Sequence, residues 1–155
     1  MHNYLFALAL GVGFSSGLRT FTAPAVVCWA AHLGSLNLHG SALAFLGSKA
    51  AVVVFTLLAL CEYVFDLLPK APNRTDPGSL IARIVSGGLC GASLSVSAGQ
   101  AWAVAACLGA IGAVIGAFAG FHARAKLVET LKVKDAMIAI PEDLVAIGLA
   151  YLLVF

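Results

Sequence analysis

Ionisable residues inside long apolar segments are the chemically distinctive feature of this sequence. Glu62 and Asp66 are four residues apart near the end of one apolar segment, so they share one face of a helix. Arg83 lies one turn into the next apolar segment, after a proline-rich connector. An ionised side chain costs about 2.5–3.5 kcal/mol at the centre of a membrane helix, and such residues usually face one another or water. These residue types therefore indicate ion pairing, proton exchange or the binding of a polar solute.

Two more apolar segments contribute charges. Arg19 lies where the first segment is interrupted, and Glu142 with Asp143 follows Pro141 in the last one. We predict that these groups meet in one partly hydrated, ion-paired cluster. The predicted substrate-binding residues are Arg19, Thr20, Thr22, Glu62, Asp66, Arg83, Glu142 and Asp143. The alternative is that each charge near a helix end reaches separately to the lipid headgroups, as we expect for Lys49.

The interruption at residues 17–24 predicts two half-helices. Gly17 is suited to close the first, and Thr22 to cap the second with Pro24 in its first turn. A half-helix that begins near Thr22 presents free N–H groups and the positive end of its dipole, which favours an anionic group. The alternative is a structural kink in which Arg19 pairs with Glu62.

Composition places these features in a membrane. Of the 155 residues, 61% are hydrophobic and 10% charged, whereas soluble domains carry about 25% charged residues. We predict an all-α transmembrane helical bundle, a single domain over residues 1–155, with about five spans and the first helix broken near Arg19–Thr22. The expected spans are residues 4–33, 42–68, 79–96, 101–121 and 136–155, with a charged connector at 122–135. The first region is either one kinked span or a hairpin.

Basic residues and glycines predict orientation and packing. The connectors that carry Lys or Arg hold Lys70, Arg74, Arg124, Lys126, Lys132 and Lys134. With five crossings they lie on one side, which we assign to the cytoplasm. Gly109, Gly112, Gly116 and Gly120 recur every three or four residues, a spacing that lets helices touch within the chain or in a homo-oligomer. The sequence has no P-loop, GxSxG or HExxH motif, so we expect no enzyme activity, cofactor or metal site, and the dispersed charges predict no nucleic-acid partner.

The segments 17–24, 62–83 and 140–143 resemble a family of small bacterial integral membrane proteins, the domain of unknown function 4126. The resemblance covers nearly the whole chain. It implies a multi-pass protein of the bacterial inner (plasma) membrane and carries over no activity or site residue.

A small transporter or channel is the leading functional hypothesis. Arg19 and the helix end at Thr22 would face a small polar or anionic solute. Glu62 and Asp66 would balance charge or carry a coupled proton. Arg83, Glu142 and Asp143 would form a gate. The alternatives are a non-transporting scaffold or lipid-binding subunit, with membrane lipid as its partner, and an enzyme acting on lipid headgroups with Glu62 or Asp66 as its general base.

Overall fold

The residues that the structure describes fold into six α-helices and one short 3₁₀ helix. The computed structural model describes residues 2–68, 73 and 75–155, so Lys70 and Arg74, which enter the orientation argument, lie outside the described residues. The helices are α1 (His2–Leu18), α2 (Thr22–His32), α3 (Lys49–Asp66), α4 (Pro77–Ser97), α5 (Trp102–Leu131) and α6 (Asp135–Val154), with the 3₁₀ helix at Ala44–Gly47. No strand occurs in this described part, and the predicted all-α class is confirmed.

α2 runs alongside α4 in the same direction. Just before α2 begins, the carbonyl oxygen of Thr20 accepts a hydrogen bond from Ser86, midway along α4. Beyond α2, the backbone N–H of Asn37 donates to Ser97 at the end of α4 over 2.9 Å. α2 has 11 residues, about 16 Å at 1.5 Å per residue, which is half the thickness of a bilayer core.

α1 runs in the opposite direction to α2. Its end contacts the second turn of α4, where Arg83 donates to the carbonyl oxygen of Gly17. Its middle residue Gly11 is next to Leu153 in the last turn of α6, so the first residues of α1 lie at the other end of the bundle. α1 and α2 therefore form a hairpin with residues 19–21 at its tip, which decides between the kinked span and the hairpin that the sequence left open.

Three helices have the length and apolar character of membrane spans: Pro77–Ser97, Trp102–Leu131 and Met137–Val154. Tyr4–Leu18 is a shorter apolar helix. α3 has 18 residues but includes Lys49, Glu62 and Asp66. The described residues thus identify fewer spans than the five expected, because the first apolar region turns back instead of crossing and α3 carries three charges.

α5 is longer than predicted. It continues from the expected end of the fourth span to Leu131, so most of the amphipathic charged connector predicted at 122–135 is a helical extension of α5. Ala123, Ala125 and Leu127 are strong helix formers, and the segment contains neither glycine nor proline. The helix ends only where Lys132 adopts a left-handed conformation, with φ of 50°.

Glycines bring α1, α4 and α5 into backbone contact. A Cβ atom on Gly13 or Gly87 would overlap the backbone of Gly109, and one on Gly116 would overlap the carbonyl oxygen of Phe14. This is the packing within the chain that the glycine spacing predicted. A homo-oligomer through the same helices stays a prediction.

The hairpin predicts where the two ends of the described chain lie relative to the membrane. In a cysteine-free background, Tyr4→Cys and Phe155→Cys should react with a membrane-impermeant maleimide from the same side, because the half of α1 that precedes Gly11 extends toward the end of the bundle where α6 ends. Lys126→Cys, at the far end of α5, should react from the opposite side. Labelling of Tyr4→Cys from the Lys126 side would mean that the first region crosses as one kinked helix.

Candidate functional site

The hairpin tip is held by the carboxylate of Glu62. Its two oxygens accept hydrogen bonds from the backbone N–H groups of Thr20, at 2.8 Å, and Phe21, at 3.0 Å. Four N–H groups at the start of an α-helix have no partner within the helix. Because Phe21 is the N-cap residue of α2 and Thr20 precedes it, Glu62 binds the entry to α2 with a charge that also suits the positive end of the helix dipole.

Two local details of the break differ from the sequence prediction. Thr22 is not the cap of α2: it is the first helical residue, and its hydroxyl shares a 2.7 Å hydrogen bond with the Tyr63 hydroxyl. Gly17 does not close α1, which continues to Leu18. Its lack of a side chain instead allows close approach to Ala113 and Gly116 of α5. In both cases a partner distant in sequence takes the place of the expected local role.

Arg83 binds the carbonyl groups on the other side of the break, at the end of α1. Its Nη1 atom donates to the carbonyl oxygens of Gly17, at 2.7 Å, and Leu18, at 3.0 Å. These oxygens have no hydrogen-bond donor within α1 because the helix ends there. Its Nη2 atom lies 3.6 Å from the Glu62 carboxylate. Arg83 is 5% exposed. One ion pair thus joins the cap of α1 to the cap of α2.

Arg19, the residue at the tip itself, is 1% exposed. Its Nη2 atom donates to Asp66 at 2.8 Å and forms an ion pair with Asp143. Its guanidinium carbon lies 5.8 Å from the centre of the Tyr63 ring, within cation–π range. Its Nε atom is buried and has no hydrogen-bond partner among the described residues. The tip is therefore bound to α3 and α6 by charge, with one donor left over.

Arg124 extends the cluster to α5. It donates to Asp66 and lies 3.8 Å from Glu142. Three guanidinium groups thereby face the four carboxylates of Glu62, Asp66, Glu142 and Asp143 in the described residues, so the cluster is close to charge balance. The cluster lies about 9 Å from the start of α4, because Arg83 follows Pro77, the first residue of that helix, by six residues.

The structure brings together seven of the eight predicted residues directly and places the eighth, Thr22, at their edge through Tyr63. Lys49 lies apart from them, exposed in the first turn of α3. Sequence analysis missed Arg124, Tyr63 and Ser86 as members. Arg124 carried a usable signal, because it continues the four-residue spacing of Gly112, Gly116 and Gly120 on one face of α5.

A family model described as a domain of unknown function (DUF4126) matches residues 6–155. The chain belongs to this family. The match includes every charged residue of the cluster, so the cluster lies within the DUF4126 domain. No curated protein and no solved structure matches the chain. For this DUF4126 protein, the site itself therefore carries the evidence for function.

Two cavities adjoin the cluster, and both have largely apolar linings. One, of about 340 Å³, includes Arg124 and Glu142. The other, of about 140 Å³, includes Thr22 and Tyr63. Among the described residues, no group of three or more His, Cys, Asp or Glu side chains is arranged to hold a metal ion. The chemistry available at the site is thus ion pairing, donation of hydrogen bonds to an anion and exchange of protons on carboxylates.

Proposed function

We propose that this membrane protein is a small transporter or channel for a small polar or anionic solute, in the bacterial inner membrane. The observation that supports this most strongly is Arg19. It is buried at the tip of a broken-helix hairpin, it bonds carboxylates from two other helices, and its Nε donor has no partner among the described residues. Ionisable residues at membrane depth mark solute and ion pathways by default.

The hairpin tip offers a defined place for an anion. Broken membrane helices bind anionic groups at the N-termini of their half-helices. Here the N–H groups of Thr20 and Phe21 already bind a carboxylate, that of Glu62, with Arg83 beside it. In the proposed mechanism an incoming anion replaces Glu62, and protonation of Glu62 favours the exchange because a neutral carboxyl group binds N–H donors less strongly.

The remaining charges would form the gate. Arg19 and Arg124 both contact Asp66, while Asp143 and Glu142 of α6 each contact one of the two arginines. These contacts join the hairpin tip to α3, α5 and α6. A solute that enters must separate some of them, and the shared Asp66 would make the separations interdependent. The structure would then correspond to a closed state.

Flux through proteoliposomes tests the proposal. We expect liposomes with the wild-type protein to take up at least one of chloride, phosphate, succinate and glycerol faster than empty liposomes. Glu62→Gln, which keeps the shape but not the charge, should abolish any acceleration by a proton gradient. Arg19→Ala should lower uptake by about tenfold, which corresponds to the loss of ~1.4 kcal/mol of interaction. Lys49→Gln, an exposed charge outside the cluster, is the matched control.

The result that contradicts these roles is unchanged uptake in a Glu62→Gln or Arg19→Ala protein that elutes as a single folded species. Uptake no faster than in empty liposomes for all four probes would contradict transport of these solutes and favour the second candidate. That candidate is a non-transporting scaffold or lipid-binding subunit. The largely apolar lining of the cavity beside Arg124 and Glu142 supports it.

A further inference from the structure

The larger cavity is a groove between α1, α5 and α6. It has a volume of about 340 Å³, within the range of pockets that hold small ligands. Its walls are formed by Phe14 and Leu18 of α1, Ala123 and Leu127 of α5, and Ile138 and Val145 of α6. Leu127 is 44% exposed and Val145 53% exposed, so the groove opens sideways at the surface of the bundle.

Residue size explains why the groove exists. Where α5 faces it, the side chains are those of Ala119, Gly120 and Ala123, which leave space beside α6. On the opposite wall, Pro141 lies inside α6. Its ring removes one backbone hydrogen bond and locally distorts the helix. Both helices are long and apolar enough to span a membrane, and in that orientation the opening would face lipid.

The lining of the groove includes one ion pair. Arg124 and Glu142 belong both to this lining and to the ion-pair cluster. The lining residues nearest to the α5–α6 connection are Leu127 and Ile138, and that connection carries Lys132 and Lys134, both exposed. An apolar slot with two exposed lysines beyond its end is complementary to an amphiphile with a long tail and a negative head.

We propose that this groove binds one acyl chain of an anionic phospholipid, with the phosphate held near the lysines of the α5–α6 connection, Lys132 and Lys134. Juxtamembrane Lys and Arg residues attract anionic headgroups. A free polar solute is a poor fit because the lining is almost wholly apolar. An uncharged amphiphile would make no use of the exposed Lys132 and Lys134 beside the groove. The bound lipid would lie directly against Arg124 and Glu142, so its occupancy would act on the ion-pair cluster.

A photoreactive lipid identifies the occupant. The full-length protein is placed in phosphatidylcholine nanodiscs that contain phosphatidylglycerol with a diazirine in one acyl chain, and adducts are mapped after irradiation. We expect them to concentrate in segments 119–127 and 138–145. Ala123→Phe, which fills the groove, should lower these adducts by about tenfold, equivalent to ~1.4 kcal/mol of binding free energy. Ala103→Phe, an exposed position near the start of the same helix, is the control.

The headgroup is tested separately. Lys132→Gln and Lys134→Gln should each lower labelling by the phosphatidylglycerol probe about fivefold and leave labelling by a phosphatidylcholine probe unchanged. Lys49→Gln, at the other end of the bundle, should change neither. If Ala123→Phe fails to fold, Ala119→Phe narrows the same groove.

Three results overturn the proposal. The first is labelling spread evenly over the exposed apolar faces. The second is labelling of the groove that filling variants do not change. The third is a dimeric protein in which the probe does not label the groove and which Ala123→Phe converts to a monomer. In that case a second copy of the chain would be the occupant. None of these results depends on solute flux, so failure here is distinguishable from failure of the transport proposal.

Discussion

Arg19→Ala is expected to destabilise the folded protein by about 3–5 kcal/mol, because removing one partner of a buried ion pair leaves the other charge uncompensated. Arg19 is 1% exposed and contacts the carboxylates of Asp66 and Asp143. Asp66 keeps its contact with Arg124, whereas Asp143 loses the ion pair found for it in the described residues. The main source of the destabilisation should therefore be the Asp143 carboxylate.

Thermal unfolding of the purified protein in detergent measures the effect. At about 2–4 °C per kcal/mol for a chain of this size, the midpoint should fall by roughly 6–20 °C. Adding Asp143→Asn to Arg19→Ala removes the uncompensated charge and should recover part of the loss. Coupling between contacting residues is about 0.5–3 kcal/mol. Lys49→Ala removes an exposed cation and should change the free energy of unfolding by no more than ~1 kcal/mol. An Arg19→Ala protein as stable as wild type would show that the ion pairs do not hold the tip.

Gly13→Ala should also destabilise the protein, despite the higher helix propensity of alanine. A Cβ atom at this position would overlap the carbonyl group of Gly109, which is backbone and cannot rotate away. Overpacking costs about 1–3 kcal/mol and sometimes more, and we expect the upper part of this range because α1 and α5 would have to separate along their whole contact. Gly109→Ala should behave similarly, since its Cβ would overlap Gly87 of α4.

Gly148→Ala is the matched control, since it lies inside α6 and a Cβ atom there would meet nothing within 4 Å. Alanine is favoured over glycine in a helix interior by about 0.8–1.0 kcal/mol, so this variant should be neutral or more stable. The same unfolding measurement compares the three variants. Equal stability of Gly13→Ala and Gly148→Ala would contradict the close contact between α1 and α5.

The sequence by itself determined the class of the protein and most members of the site. The low fraction of charged residues already required a membrane bundle. Because a charge in hydrocarbon is costly, the sequence also indicated that Arg19, Glu62 and Asp143 would be paired or hydrated. The interruption near Arg19 was equally visible, because glycine, threonine and proline act on the backbone locally. The glycine spacing likewise predicted the close helix packing, which depends only on the absence of side chains.

Tertiary structure alone decided which partner each group has. From the sequence, Arg19 could pair with Glu62. In the structure Arg19 pairs with Asp66 and Asp143, while Glu62 caps α2 beside Arg83. The same break is compatible with a kink or a hairpin, and contacts more than forty residues away in sequence select the hairpin. Local sequence fixes the cost of leaving these groups unpaired, but only the packing of α3, α4, α5 and α6 around the tip sets the distances that choose among the available pairs.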